Sequence, residues 1–340
     1  MRVAAIPIDD PQWCEFVTSH PGASAFHLPD WASVIADCYR FEAFVLAVRD
    51  TDREILAGVP TIAVRSPLGR LRWVSLPFSD SCPLLVRPGV AVDDVVGTLK
   101  EHVFASRAHE LEVRWDLPGA ENLYPVQVGY RHHLDLPRDP ADLHLHRDHR
   151  YNRNRAIRMG VVVTHGNAAD DAATFYRLHT LTRRRHGMPV QPRRFFDLVW
   201  ERLLARGHGY ASYATLDGRV VAAGVFLHHN GTLVAKYTAS DPTCRDVGAN
   251  HLIMWDGIVT ACIEGYHTVD MGRTDLEGDG LRLYKRGWGA VENPLVYTHI
   301  SRTPASGSGL SVGDLPKRII RSSPPWVCRA LGEVLYRWTA

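Results

Sequence analysis

Two stretches of the chain repeat the same order of apolar and polar positions. Arg53–Cys82, REILAGVPTIAVRSPLGRLRWVSLPFSDSC, enters an apolar run through Ala-Gly and turns at Gly69. It returns as a second run and ends in Ser-Asp near a cysteine. Gly218–Cys244, GRVVAAGVFLHHNGTLVAKYTASDPTC, does the same, turning at Gly231 and ending in Ser-Asp-Pro. Short apolar runs joined by glycine turns predict a β-hairpin in each, and their likeness predicts an internal duplication. A helical pattern precedes each hairpin. The first is Leu28–Phe41, with Asp30 as its N-cap. The second is Asn167–Gly187, acidic at its start and cationic at its end, as the helix macrodipole favours. Arg193–Gly207 predicts another helix. After the second hairpin Leu252, Trp255, Ile258, Val259 and Cys262 recur at helical spacing before Gly265, and His267–Gly272 reads as a short buried strand. Helix, helix, hairpin, helix, strand is a mixed α/β order with a crossover helix.

The remaining segments have simpler patterns. Leu145–Gly166 predicts a basic helix carrying Arg147, Arg150, Arg153, Arg155 and Arg158, closed by Gly160 and followed by a valine-rich strand. Ser301–Asp314 is a Ser/Gly/Pro linker. In the tail Trp326, Val327, Ala330, Leu331, Val334, Leu335 and Trp338 share one helical face. That face either docks on the body or, flanked by Arg329 and Arg337, lies in a membrane interface. No apolar run is long enough for a spanning helix, and the N-terminus lacks a signal-peptide pattern. The expectation is a cytoplasmic protein, with the tail as its one route to peripheral contact at the inner membrane surface.

Composition changes the picture in one respect. With 340 residues, 45% of them hydrophobic, the chain can build two ordinary cores, and a net charge of +2 singles out no partner class. Of 39 cationic side chains only four are lysines, Lys100, Lys236, Lys285 and Lys317. Arginine runs therefore carry less functional weight here, and each lysine carries more. The six cysteines form no Cys-x-x-Cys pair, and HLHRDHR (His144–Arg150) does not complete a metal set, so no metal is expected.

Two motifs carry candidate chemistry. In SDPTCRDVGANHLIMW (Ser240–Trp255), Arg245, Gly248 and Asn250 stand where a strand gives way to a helix, and free N–H groups at a helix start suit an anion. In GDGLRLYKRGWG (Gly278–Gly289), four glycines frame Arg282, Lys285 and Arg286 with Tyr284 and Trp288. The first motif resembles the GNAT acyltransferase signature Arg/Gln-x-x-Gly-x-Gly/Ala, except that Asn250 occupies the last small position. The second resembles the closing motif of Fem-type transferases, double-GNAT proteins that move an amino acid from aminoacyl-tRNA onto an amine of a cell-wall precursor. Asp270, Met271, Gly272 and Thr274 match its first part; Gly280, Leu281, Tyr284, Lys285, Trp288 and Gly289 match its second. YTASDP (Tyr237–Pro242) and RNRAIRMGVVV (Arg153–Val163) resemble further Fem-like segments. No heptad-patterned arm of the kind several Fem proteins insert is present.

The resemblance implies two tandem GNAT-like α/β domains with mixed sheets, residues 1–140 and 141–302, then a linker and amphipathic tail helix over 303–340. The active site falls in the second domain. The implied reaction is N-acyl transfer to an amine, with aminoacyl-tRNA favoured over acyl-CoA as donor and no tightly bound cofactor. Whether the acceptor is a peptidoglycan precursor or a small metabolite, and whether it bears phosphate, is left open. An acyl-CoA enzyme and a non-catalytic envelope scaffold are the rival readings. Amide formation passes through an oxyanion, for which Lys285 is the expected cation. Tyr237 is the expected hydrogen-bonding partner of the acceptor, and Asp270, or Asp275, the group that takes its proton. Arg184, Arg185, Arg273, Tyr284 and Trp288 are expected to bind substrate, and Arg245, Gly248 and Asn250 a cofactor's phosphates.

Overall fold

The structure, a computed structural model, describes residues 1–65, 69–119, 121–166, 168–304 and 317–336. Most of the expected linker, together with Arg337 and Trp338, lies outside the described residues. The chain forms two compact units. The first holds Met1–Tyr130 and takes back the chain from Pro294; the second holds Arg131–Asn293 and the described tail. The division thus falls earlier than the expected residue 140. The last strand also returns to the first unit, a consequence of long-range pairing that no local pattern announces.

The first unit contains β1 (Arg2–Pro7), α1 (Pro11–Ser19), α2 (Pro29–Tyr39), β2 (Glu42–Arg49), β3 (Ile55–Arg65), β4 (Leu71–Val74), β5 (Leu85–Val86), α3 (Val92–Ala105), β6 (Glu110–Val113) and the start of β7 (Leu123–Asp135). β3 and β4 are the expected first hairpin, antiparallel from Ile62↔Val74 to Arg65↔Leu71. β4 then pairs parallel with β6, Arg72↔Glu110 to Val74↔Glu112, and α3 is the crossover that a parallel pair requires. Val95, Val96, Leu99 and Val103 of α3 pack into the core against Leu46, Val59 and Leu111. Asp30 does not cap α2. Leu28 occupies the N-cap without a side-chain bond, and Asp30 sits in the first turn, because Pro29 already opens the helix.

The second unit repeats this plan. It contains α4 (Arg147–Arg158), β8 (Val162–Gly166), α5 (Ala169–His186), α6 (Arg193–Val199), β9 (Gly209–Leu216), β10 (Arg219–His229), β11 (Thr232–Ser240), α7 (Ala249–Ile263), β12 (Thr268–Thr274), α8 (Asp279–Arg286) and the start of β13 (Val291–Ser301). The tail adds α9 (Lys317–Ser322) and α10 (Pro325–Leu335). β10 and β11 form the second hairpin, β11 pairs parallel with β12, and α7 is the crossover. β1, β2, β3, β4 and β6 follow the same order as β8 to β12, with β5 a short extra partner of β3, so the echo read in the sequence is an architectural repeat. The hairpin turn places Asn230 at φ 45° and Gly231 at φ 70°, the backbone of a tight two-residue turn. α7 closes one face of this sheet with Ile253, Ile258 and Ala261 against Phe226, Leu233 and Val269.

The tail is docked on the second unit. Val190 N–H donates to the Cys328 carbonyl at 3.3 Å, and Arg183 Nη2 donates to Tyr336 Oη at 2.7 Å. Trp326 and Val334 stay 66% and 63% exposed on the outer side of α10. Among the described residues no helix is long and apolar enough to cross a membrane.

Candidate active site

The second sheet opens between its parallel strands. β11 and β12 pair only at Thr232↔Thr268, Leu233↔Val269 and Val234↔Asp270, although β11 continues to Ser240 and β12 to Thr274. Past Val234 no ladder pairing joins the two strands, which leaves a gap there. An ester or amide held in that gap can add hydrogen bonds to the backbone lining it. On the other edge of β11 the register skips a residue between Ala235 and Tyr237, which makes Lys236 a bulge. A bulge re-aims the side chains beside it, and here it lies just beyond the last β11–β12 pair.

The glycine-framed motif forms α8, and side chains pin this short helix to the parted end of β12. Lys285 is 6% exposed. Its Nζ donates to the carbonyls of Gly272 at 2.9 Å and Arg273 at 3.0 Å, and a buried ammonium requires such acceptors. Arg282 grips Glu292 with two bonds, Nε to Oε2 at 2.9 Å and Nη2 to Oε1 at 2.7 Å. The fully buried His132 adds a bond to Glu292 Oε2 at 2.9 Å. Burial and the nearby Lys285 hold His132 below its ordinary range, so it is the neutral ring that donates. Trp288, 0% exposed, anchors the end of the motif in the core. This corrects the expectation that Trp288 touches substrate.

The Arg282 grip has a pH signature. Hydrogen bonds from Arg282, opposed in part by burial, hold the Glu292 carboxyl down at about 2. A depressed carboxylate stabilises the fold above its unfolded value, near 4.3. That contribution disappears as pH falls from there through about 2. Arg282→Gln should therefore destabilise the protein at pH 7 by about 2 kcal/mol, and urea titrations of the two proteins should converge as pH falls toward 2.

Asp270 is 6% exposed and bonded through both oxygens. Oδ1 accepts from Gly272 N–H at 2.7 Å and Oδ2 from Arg131 Nε at 3.1 Å. It fixes Gly272 at φ 71°, and so the carbonyl that receives Lys285. Arg273 pairs with Asp275 at 2.9 Å, which leaves Asp275 in a surface ion pair. Tyr237 Oη accepts from Gln191 Nε2 at 3.0 Å, and its ring packs against Phe196 and His179 at 5.4 and 5.5 Å. Burial pushes His179 down to about 3. Gln191 approaches this ring, but its amide nitrogen bonds Tyr237, and neither His179 nitrogen has a geometrically sound hydrogen bond.

Two arginines expected to serve different ligands come near one another. Arg185, at the end of α5, and Arg245, in the turn before α7, lie close enough that burial and their mutual repulsion both lower Arg185. His186 joins them. Burial, then Arg185, Arg183, Arg321 and Arg245, depress its imidazole. Arg184 packs with its Nε buried. Gly248 and Asn250 are used differently from expectation. Gly248 is the N-cap of α7, at φ 84°, and a methyl group on it would fall on the carbonyl oxygen of Asn152 in α4. Asn250 Nδ2 donates to Ser240 Oγ at 3.1 Å. The helix start that was expected to hold a pyrophosphate is packed against α4.

Gln191, His132, Arg131, Arg282 and Glu292 were not singled out from sequence as site residues. The partners of Asp270 and Tyr237 lie far along the chain, and no spacing rule connects them. Lys285, Asp270, Arg273 and Tyr284 do gather around β12 and α8. Arg185 and Arg245 form a separate cationic group, and Tyr237 stands on β11 in the parted section.

Residues 122–286 match the acetyltransferase (GNAT) domain family. No curated protein matches the chain. Among solved structures, FemX superposes with a TM-score of 0.71 at 16% identity, over 89% of this chain and 98% of FemX. L-PGS from Bacillus licheniformis gives 0.59 at 13% identity, over 95% and 100%. A tandem GNAT protein from the clavulanic acid biosynthesis pathway gives 0.53 at 13%, over 89% and 99%. The repeated topology, the parted parallel strands and these likenesses agree on the fold: the chain has the Fem-type tandem-GNAT fold, and residues 122–286 match the GNAT domain family.

Proposed function

We propose that the protein is an N-acyltransferase that moves an aminoacyl group from an aminoacyl-tRNA onto an amine. The observation that carries this reading is the gap between β11 and β12, with a buried ammonium held at its β12 side. In this reading the ester carbonyl lies in the gap near Lys285. The amine nitrogen attacks, the C–N bond forms, the bond to the ribose oxygen breaks, and the amine's proton ends on that oxygen. Lys285 stabilises the negative charge that gathers on the carbonyl oxygen. Tyr237, oriented by Gln191, hydrogen-bonds the incoming amine. Asp270 acts as a positioning residue through Gly272 and Arg131.

The Asn152 carbonyl crowds Gly248 at the start of α7, where a pyrophosphate would have to sit, and this favours an aminoacyl-tRNA donor over acyl-CoA. The likeness to FemX and L-PGS supports the same choice. The cations at Arg185 and Arg245 favour an acceptor that bears phosphate. Arg185→Ala with Arg245→Ala should raise the acceptor's KM about tenfold and leave kcat within about twofold. A fall in kcat alone would remove the acceptor assignment.

The direct experiment supplies the purified protein with a mixture of labelled aminoacyl-tRNAs and an extract of amine metabolites. The expected result is label moving from RNA into an amide product. Consumption of acetyl-CoA with no loss of label from tRNA would overturn the reading in favour of a CoA enzyme.

A further inference from the structure

A cavity of about 730 Å³ lies beside α4 in the second unit. Its lining includes His146, His149, Asn152, His251, Tyr284 and Arg286. Three of these are rings packed together: His149 and His251 meet edge to face with centroids 5.0 Å apart, His251 and Tyr284 likewise at 5.3 Å, and His149 and Tyr284 are tilted at 5.1 Å. The rings are uncharged at neutral pH. Burial lowers His149 and pushes His251 down to about 4, while Tyr284 is pushed up to about 12. His149 Nε2 donates to the Tyr284 carbonyl at 2.7 Å. A methyl group on Gly287 would approach that imidazole at 2.7 Å, so Gly287 admits the ring. Uncharged ring faces around a recess suit a flat heterocycle.

The surface next to the recess is strongly cationic. α4 carries five arginines and one aspartate, Asp148. Asp148 is already paired, at 3.5 Å from Arg147 and 3.6 Å from His146. Arg147, Arg150 and Arg158 are exposed, and Tyr151 is 58% exposed among them. Arg153 lies over the Trp255 ring at 4.6 Å, which fixes one cation at the helix flank. A run of cations interleaved with an aromatic, leading to a recess of ring faces, is the pattern that single-stranded nucleic acid uses. A lipid surface would engage the arginines but has no ring to place in the recess.

We propose that α4 and this cavity bind the single-stranded 3′ end of the acylated RNA, the recess stacking a terminal base and the exposed arginines taking backbone phosphates. The inference rests on the aminoacyl-tRNA reading and adds the surface that performs it in a chain without an inserted arm.

The test is fluorescence anisotropy on the full-length protein with a labelled RNA hairpin ending in single-stranded ACCA, and with the same hairpin lacking its last A. Arg150→Gln with Arg158→Gln should weaken both RNAs alike, about tenfold, and lower the salt slope by about 1.4. His251→Ala should remove the preference for the terminal A, about tenfold in the wild type, and leave the salt slope unchanged. Circular dichroism confirms that both variants fold, and Tyr151→Ala, a surface change, gives a third reading of the same face. Unchanged RNA affinity in the arginine variant, or an intact terminal-A preference in the histidine variant, overturns the proposal. So does loss of binding to phosphatidylglycerol vesicles with RNA affinity retained, which would reassign α4 to a lipid surface. Competition by CoA equal to competition by the ACCA strand would reassign the recess to a thioester donor. Transfer of label from aminoacyl-tRNA is scored separately. If it persists while α4 proves irrelevant, the proposed function stands and this surface falls. If it is absent while α4 binds RNA, the reverse holds.

Discussion

Lys285→Ala is expected to lower amide formation by about 10²- to 10³-fold, more than its effect on folding can explain. Two consequences are superimposed. The ammonium is the cation nearest the proposed oxyanion, and losing one such group in a dry site typically costs that factor. The same nitrogen also donates to the Gly272 and Arg273 carbonyls at 2.9 and 3.0 Å. Alanine leaves those acceptors buried without this donor, at about 1–3 kcal/mol each, so Tm should fall as well. Lys285→Arg separates the two effects. It keeps a charge and donors but changes their reach, and should recover part of the stability and little of the turnover. Turnover is measured well below each variant's Tm with saturating aminoacyl-tRNA. A Lys285→Ala protein with wild-type turnover would sink the assignment, and a loss of Tm alone would make Lys285 a strut.

Gly332→Ala should release the tail. In α10 a methyl group at this position would land on the Val190 carbonyl oxygen, a backbone atom with no rotamer to give way. The contact cannot relax in place, and the cost of forcing it is about 2–3 kcal/mol. The helix gives up its bonds to the 188–190 segment instead, including the Cys328 thiol to the Met188 carbonyl at 3.1 Å and the Tyr336 hydroxyl to the Pro189 carbonyl at 3.2 Å. The variant should lose α10 to limited proteolysis at protease levels that leave the wild-type tail intact. The same variant decides between the two readings of the tail. If the apolar face serves docking, vesicle co-sedimentation stays unchanged on the wild type and appears only when the helix is released. A wild-type protein that binds vesicles while docked would point to the exposed Trp326 side as a membrane contact.

Local chemistry explains which parts of this molecule could be read in advance. The hairpins were legible because apolar runs and turn residues such as Gly231 are adjacent in sequence. The end of α5 was legible because Gly187, at φ 71°, closes it in the left-handed conformation that glycine supplies. Around α8 the glycines at 278, 280, 287 and 289 argue against a helix. The helix forms because Lys285, Arg282 and Trp288 attach it to distant residues. The same distance hid the assembly of Arg185 with Arg245, which the sequence assigned to two separate ligands. It also hid the closing of Gly248 by Asn152. The GNAT-like signature there survives in letters while the Asn152 carbonyl crowds its glycine.

The return of β13 to the first unit has a consequence for biosynthesis. Thr298–Ser301 pair antiparallel with Val113 back to Glu110, so the edge of β6 acquires this neighbour only once Ser301 has left the ribosome. Until then the nascent first half presents a bare strand, the kind of template on which foreign strands add. A fragment ending near Tyr130 should therefore self-associate in solution, and a synthetic peptide spanning residues 294–303, added in trans, should suppress that association by completing the sheet.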